Sequence, residues 1–154
     1  MESLQEKYSP NAICFGCGPS NPHGLHIKSI PDVDVVLVSD WTPEPYHTGY
    51  AGFTNGGIIS TLVDCHGNMT AAYALMKAKN LESPPSTVTA ELTVKFLKPT
   101  PIGSTVHLKA HANKIEGSRV YVEGTVEANG IKTVLMNGVY VEVKKGHPGF
   151  GKWS

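Results

Sequence analysis

Formal charge is scarce and balanced. Only 17% of the 154 residues are charged, with 13 acidic and 13 basic side chains and a net charge of zero. A chain without a basic field has no electrostatic footprint for nucleic acid, and a polyanionic ligand would need a local basic patch. No window approaches the ~20 consecutive apolar residues of a membrane helix. The polar start MESLQEKYSP lacks the apolar core of a secretory leader. Cysteine is sparse and odd in number (Cys14, Cys17 and Cys65), which argues against a disulfide framework and points to a reducing, cytoplasmic setting. The chain carries no internal repeat. Its length fits one domain, 1–154, large enough to hold a core without disulfides or metal.

What is present is a change of period along the chain. Residues 1–24 are rich in Pro, Gly, Asn and Ser and read as irregular; 25–41 read as a strand pair with a turn near Pro31-Asp32. After a Pro- and Gly-rich loop, Ile58, Leu62, Cys65, Met69, Ala72 and Met76 recur at helical spacing, which predicts a helix from about Gly56 to Lys79. Nearly every side of it is apolar or small, so it is expected to be surrounded by protein. Residues 87–97 alternate, with Val88, Ala90, Leu92, Val94 and Phe96 on one face and Thr87, Thr89, Glu91, Thr93 and Lys95 on the other. Strands are predicted over 104–114, 118–128 and 131–144, separated by turns at Glu116-Gly117 and Asn129-Gly130. The tail 145–154 reads as a surface extension. Strand, one long helix, then antiparallel strands is an α+β layout, with a sheet wrapped around a helix.

Between Glu44 and Lys77 the one formal charge is Asp64, in the third turn of that helix. Aspartate has low helix propensity there and gains little from the helix dipole. Burying it unpaired costs several kcal/mol, so it calls for a partner or a chemical task. Gly57, Thr61, Asp64, Asn68 and Ala71 form a small, partly polar edge beside it. Asn55 is a favoured N-cap before Gly56-Gly57, and amides at such a helix start can hold a carbonyl oxygen that becomes an oxyanion.

The run NGGIISTLVDCHGNMTAAYA, the strand TVTAELTVKFLKPTPIGSTV and the opening CFGCGPSNPHGLHI together resemble the hotdog-fold thioesterases of the phenylacetate-pathway and 4-hydroxybenzoyl-CoA type. In that family a His-Gly-Gly opens the central helix and an Asp or Glu follows nine residues later; here Asp64 lies nine residues after Asn55. The resemblance covers about residues 12–144. It implies a hotdog fold, with an antiparallel sheet of about five to six strands around one central helix, and hydrolysis of an acyl-CoA thioester. Carried over by position, Asp64 is the catalytic carboxylate, either activating water as a general base or attacking the carbonyl as a nucleophile, Gly56 supplies the amide that polarises the carbonyl, and Thr89 assists the attacking water, reaching the site from a partner subunit. His47, Thr48, Asn55, Gly57, Asn68 and Lys98 are the implied substrate-binding positions, Lys98 near the coenzyme A phosphates. Coenzyme A enters as part of the substrate, with no resident cofactor. The implied assembly is a homodimer joined sheet to sheet, or a tetramer as a dimer of dimers. Two positions depart from the pattern: Asn55 replaces the histidine and cannot do acid–base work, and Gly49 stands where Asn or Gln is common. The alternative they favour is a non-catalytic acyl-CoA binding protein.

Cys14-x-x-Cys17 followed by His23 and His26 has the look of a zinc site. The spacing is tight and no second cysteine pair follows, so packing of the N-terminal segment is the expected role and no metal is assigned. Cys65 falls on the apolar stripe and His66 reads as a satisfied interior histidine. A dehydratase of the same fold is disfavoured because His66, two positions past Asp64, points another way.

Overall fold

The computed structural model describes residues 1–152. Eight elements follow in order: α1 (Leu4–Tyr8), β1 (Ile30–Pro31), β2 (Leu37–Trp41), α2 (Gly56–Ala78), β3 (Thr87–Phe96), β4 (Val106–Glu116), β5 (Arg119–Ala128) and β6 (Ile131–Glu142). The strands form one antiparallel sheet in the order β1-β2-β4-β5-β6-β3, and α2 packs on it as the hotdog resemblance implies. None of the helices is long and apolar enough to cross a membrane.

The helix begins where expected. Asn55 accepts hydrogen bonds from the Gly57 and Ile58 amides, and Lys79 is the C-cap. From His66 to Met76 every residue is buried. Leu62, Leu75, Val106, Val120, Val126, Val134 and Tyr140 belong to the main core between helix and sheet, and Cys17, Leu25 and Ile27 join that core from the N-terminal segment. The apolar coat on all sides of α2 is explained by these two layers of cover.

The N-terminal 24 residues are less irregular than their composition suggests. Ser3 and Glu6 form a reciprocal capping box that starts α1, a Ser-x-x-Glu signal legible in the sequence. The strand pair of 25–41 is also shorter than expected. Residues 25–27 leave the sheet because their amides bond to the cysteine loop instead, Leu25 to Phe15 O and Ile27 to Gly16 O.

The alternation in β3 does not run through the strand. Thr89 pairs with Tyr140 and Glu91 with Val139, so Ala90 is an extra residue, a β-bulge. Before the bulge, Thr87 and Thr89 turn toward α2, where they bond Asn68 and Asp64. After it, Leu92 and Val94 pack on the core. One inserted residue thus brings both parities to the same face, which corrects the two-faced reading of 87–97.

Gly67 marks a close approach: a Cβ there would lie 2.4 Å from the Tyr140 hydroxyl and 2.8 Å from the Met136 methyl. Gly67→Ala gains about 1 kcal/mol of helix propensity. Displacing the fully buried Tyr140 outweighs that gain, since overpacking costs about 1–3 kcal/mol. Urea denaturation is expected to show net destabilisation; a stabilised variant would show that the ring has room to move.

Candidate active site

Asp64 stands half-buried in the third turn of α2. Its Oδ1 accepts from Thr89 Oγ1 at 2.8 Å and lies 3.4 Å from the Tyr140 hydroxyl, which also approaches the Asp64 carbonyl at 3.3 Å. Burial, then the negative charge of Asp64, holds the Tyr140 phenol well above its ordinary range, so Tyr140 remains a neutral donor. Thr89 therefore reaches Asp64 within one chain, not from a partner subunit. The bulge at Ala90 is the reason, because it turns the first half of β3 onto the helix of its own chain.

One turn on, Asn68 is buried against Thr87. With its amide turned so that both ends find partners, Asn68 accepts from Lys152 Nζ at 2.7 Å and donates to Thr87 O at 3.3 Å. Lys152 was not singled out in the sequence because the tail read as a surface extension. Instead the tail is anchored beside β3: the Gly151 amide bonds Ser86 Oγ at 2.9 Å, and Gly149 lies close to Val88. Burial pushes the Lys152 ammonium below the ordinary lysine range, against the pull of the three cysteines and Asp64. The last two tail residues, 153 and 154, lie outside the described residues.

The helix start is a second cluster. Asn55 Oδ1 takes the Gly57 amide at 2.8 Å and the Ile58 amide at 3.2 Å, so the Gly57 amide is engaged in the cap. The Gly56 amide has no acceptor among the described residues. Gly56 and Lys98 border a groove of about 310 Å³ that is also lined by Tyr50, Phe53, Phe96 and Thr100. Tyr50 and Phe96 are exposed, and Lys98 forms no ion pair among the described residues. His47 and Thr48 belong to the loop that precedes the cap. His47 O accepts from the Asn55 amide at 2.8 Å, His47 Nδ1 accepts from the Glu44 amide at 2.9 Å, and the Thr48 hydroxyl turns back to Pro45 O. The structure thus gathers Asp64, Thr89 and Asn68 at one place and Gly56, Asn55, Gly57, His47, Thr48 and Lys98 at another.

His66 is a structural residue, as its sequence position suggested. Its Nε2–H donates to Leu37 O at 3.0 Å and its Nδ1 accepts from Ser29 Oγ at 2.8 Å. Gln5 from α1 completes the network, bonding the Ser29 amide and hydroxyl. Burial lowers the His66 pKa to about 4, which keeps the ring neutral. Cys65, beside it, is not simply part of the apolar core: its Sγ lies 3.7 Å from that of Cys14. Hydrogen bonds from Cys17 and then Cys65 hold the Cys14 thiol well below the ordinary range.

Comparison with known proteins bears on the family and the fold. A family model described as the thioesterase superfamily matches residues 51–135, which span α2 and most of the sheet. The acyl-coenzyme A thioesterase THEM4 of Xenopus laevis is 31% identical over 93 residues, 60% of this chain and 38% of that protein. The protein of the same name from Rattus norvegicus is 31% identical over 86 residues, 56% of this chain and 33% of that protein. The match thus spans little more than a third of either relative. A thioesterase superfamily protein from Shewanella loihica PV-4 is 28% identical with a TM-score of 0.66, covering 82% of this chain and 98% of that one. The E. coli PaaI protein from the phenylacetic acid degradation operon has a TM-score of 0.62 over 78% of this chain and 81% of that one; at 18% identity it speaks for the fold alone. On the match of helix, sheet and family model, this chain is a member of the thioesterase superfamily.

Proposed function

We propose that the chain is an acyl-CoA thioesterase that works as a homodimer, with Asp64 as general base. The carrying observation is a half-buried carboxylate, the one acid of a helix whose other formal charge, Lys77, stands in the last turn, and it is held through Oδ1 by Thr89. In this reading Asp64 takes a proton from water, the water oxygen adds to the thioester carbonyl carbon, the C–S bond then breaks, and the proton held by Asp64 passes to the leaving thiolate, releasing the thiol and a carboxylic acid. The Gly56 amide, at the positive end of α2, stabilises the oxyanion.

The need for a second copy follows from distance. Gly56 and Asp64 are eight residues apart on one helix, roughly 12 Å at 1.5 Å per residue. A carboxylate acting through a water reaches about 6 Å to the reacting carbon, and the carbonyl oxygen must lie about 3 Å beyond the Gly56 amide, on the side away from Asp64. One chain cannot bring its own Gly56 and Asp64 to the same carbonyl, so the amide is taken to come from the partner's helix start. The edge of β3, which among the described residues pairs with β6 alone, supports sheet-to-sheet pairing. A tetramer would add a second dimer to this unit.

The groove beside Gly56 suits the substrate: aromatic rings for the apolar part and Lys98 for the phosphates of coenzyme A. A solved thioesterase-like protein of Streptococcus pneumoniae that shares the fold was determined with coenzyme A, which supports a CoA-linked substrate. Three free thiols support a reducing, cytoplasmic setting.

Loss of thioester absorbance over short, medium, long and aromatic acyl-CoAs tests the reading, with the oligomer measured by light scattering. Turnover by a dimer or tetramer is expected. Binding without turnover, the outcome that Asn55 and Gly49 would explain, replaces the enzyme with an acyl-CoA binder; turnover by a monomer removes the two-chain site. Thr89→Val keeps the side-chain shape but removes a hydrogen bond to a carboxylate, a loss of about 1.5–3 kcal/mol. It is expected to lower kcat by about 10- to 100-fold with KM nearly unchanged, and Thr89→Ser should restore most of it. Equal kcat for Thr89→Val would take Thr89 out of the site.

A further inference from the structure

Cys14, Cys17 and Cys65 come together although 48 residues of sequence separate the last two. Their three sulfur atoms all lie within 4.8 Å of one another. The Cys14–Cys65 separation is 3.7 Å. A metal ion bound tetrahedrally at about 2.3 Å from each thiolate spaces its sulfurs about 3.8 Å apart. The cluster is thus preset near the dimensions of a thiolate site and well beyond a disulfide length of about 2.05 Å.

The loop is shaped for this approach. Gly18 N–H bonds Cys14 O at 2.8 Å, closing a turn around the two N-terminal cysteines. Gly16 rests on α2 so closely that a Cβ would lie 2.3 Å from Cys65 Sγ and 2.9 Å from the Thr61 methyl. Bonds from Leu25 and Ile27 to Phe15 and Gly16 hold the loop in place. Neither of the two histidines that the sequence offered joins the sulfur cluster. His26 Nε2 bonds Asn21 O at 2.5 Å, and the exposed His23 has its amide tied to the Asn21 side chain.

We propose that Cys14, Cys17 and Cys65 bind one thiophilic divalent ion of the zinc class, clamping the N-terminal loop to α2 next to Asp64. Three thiolates fill three corners of a tetrahedron, and a solvent molecule takes the fourth. The helix position supplies the ligand that sequence spacing could not, since Cys65 is remote from the Cys-x-x-Cys pair. The ion is structural in this proposal, independent of the thioesterase reading.

Cobalt(II) is the probe, added to the reduced full-length chain under anaerobic conditions. The expected result is one ion per chain, an intense thiolate-to-cobalt charge-transfer band, visible bands of a tetrahedral ion, and displacement by zinc(II). Zinc should also protect the thiols from alkylation. Cys65→Ser is expected to weaken cobalt binding on the order of 100-fold or more, whereas His23→Ala and His26→Ala should leave the titration unchanged. No charge-transfer band in the reduced wild-type chain overturns the proposal without reliance on any variant. A titration unaffected by Cys65→Ser, or abolished by loss of either histidine, overturns this ligand set.

Discussion

Asp64→Asn should lower acyl-CoA hydrolysis by about a hundredfold to ten-thousandfold while leaving the fold and coenzyme A binding in place. The substitution is nearly isosteric and its amide oxygen still accepts from Thr89, so the 2.8 Å contact survives. It cannot take a proton from water, and general-base participation contributes about 10²–10⁴ in rate. The oxyanion donor on the other helix start is untouched, so residual activity above the uncatalysed rate is expected. Stability should change little, because the side chain is only half-buried and Asn shares the low helix propensity of Asp. The checks are steady-state turnover, coenzyme A binding and a urea curve on one preparation. Activity within tenfold of wild type would remove Asp64 from the chemistry, whatever the fate of the dimer.

The second large effect concerns stability against pH. His66 titrates at about 4 in the folded chain because burial disfavours its charged form, against an ordinary value of 6.5. Between those values the unfolded chain binds a proton that the folded chain refuses. Stability therefore rises with pH through this window and falls on acidification, by about 1.4 kcal/mol per pH unit once pH is below 6.5. From pH 7 to pH 5 the loss expected from this one residue is about 2 kcal/mol, a large share of a small domain's stability. Glu6, lowered to about 2 by Lys28 and its capping bonds, also weakens the fold in acid. It does so only as pH drops below about 4.5, whereas the lowered Cys14 thiol adds a slope of the same sign across the upper window, so the comparison with a His66 variant is what isolates the histidine. Urea curves at pH 7, 6 and 5 measure the slope, and His66→Gln should flatten it even if it starts lower. An unaltered slope would place the acid sensitivity elsewhere.

The parts of the molecule legible from sequence are those where local period and tertiary demand agree. The helix at 56–78, its Asn55 cap, the Asn129-Gly130 hairpin and the isolated acid at 64 all rest on short-range patterns. The misread parts depend on long-range partners. Alternation placed Thr89 away from Leu92, and only the pairing of β3 with β6 reveals that Ala90 breaks the phase. Residues 25–27 carry strand-like side chains, but their amides belong to the cysteine loop. Cys65 fits an apolar stripe and also touches a thiol 51 positions earlier. Lys152 stood in a Gly-rich tail with nothing nearby in sequence to announce Asn68. The site was legible as a set of residues and not as a geometry, since spacing along a helix does not say which chain completes it.

The strand order has a consequence for biosynthesis. β3 is finished early, yet its one neighbour in the sheet among the described residues is β6, the last of the six strands in chain order. Asp64 thus emerges well before Tyr140, and Thr89 has no ladder to hold it until β6 has been made. A nascent chain halted before residue 131 would carry the acid, the cap and the hydroxyl without the neighbouring strand that fixes their arrangement, so the candidate site stays unassembled until β6 has left the ribosome.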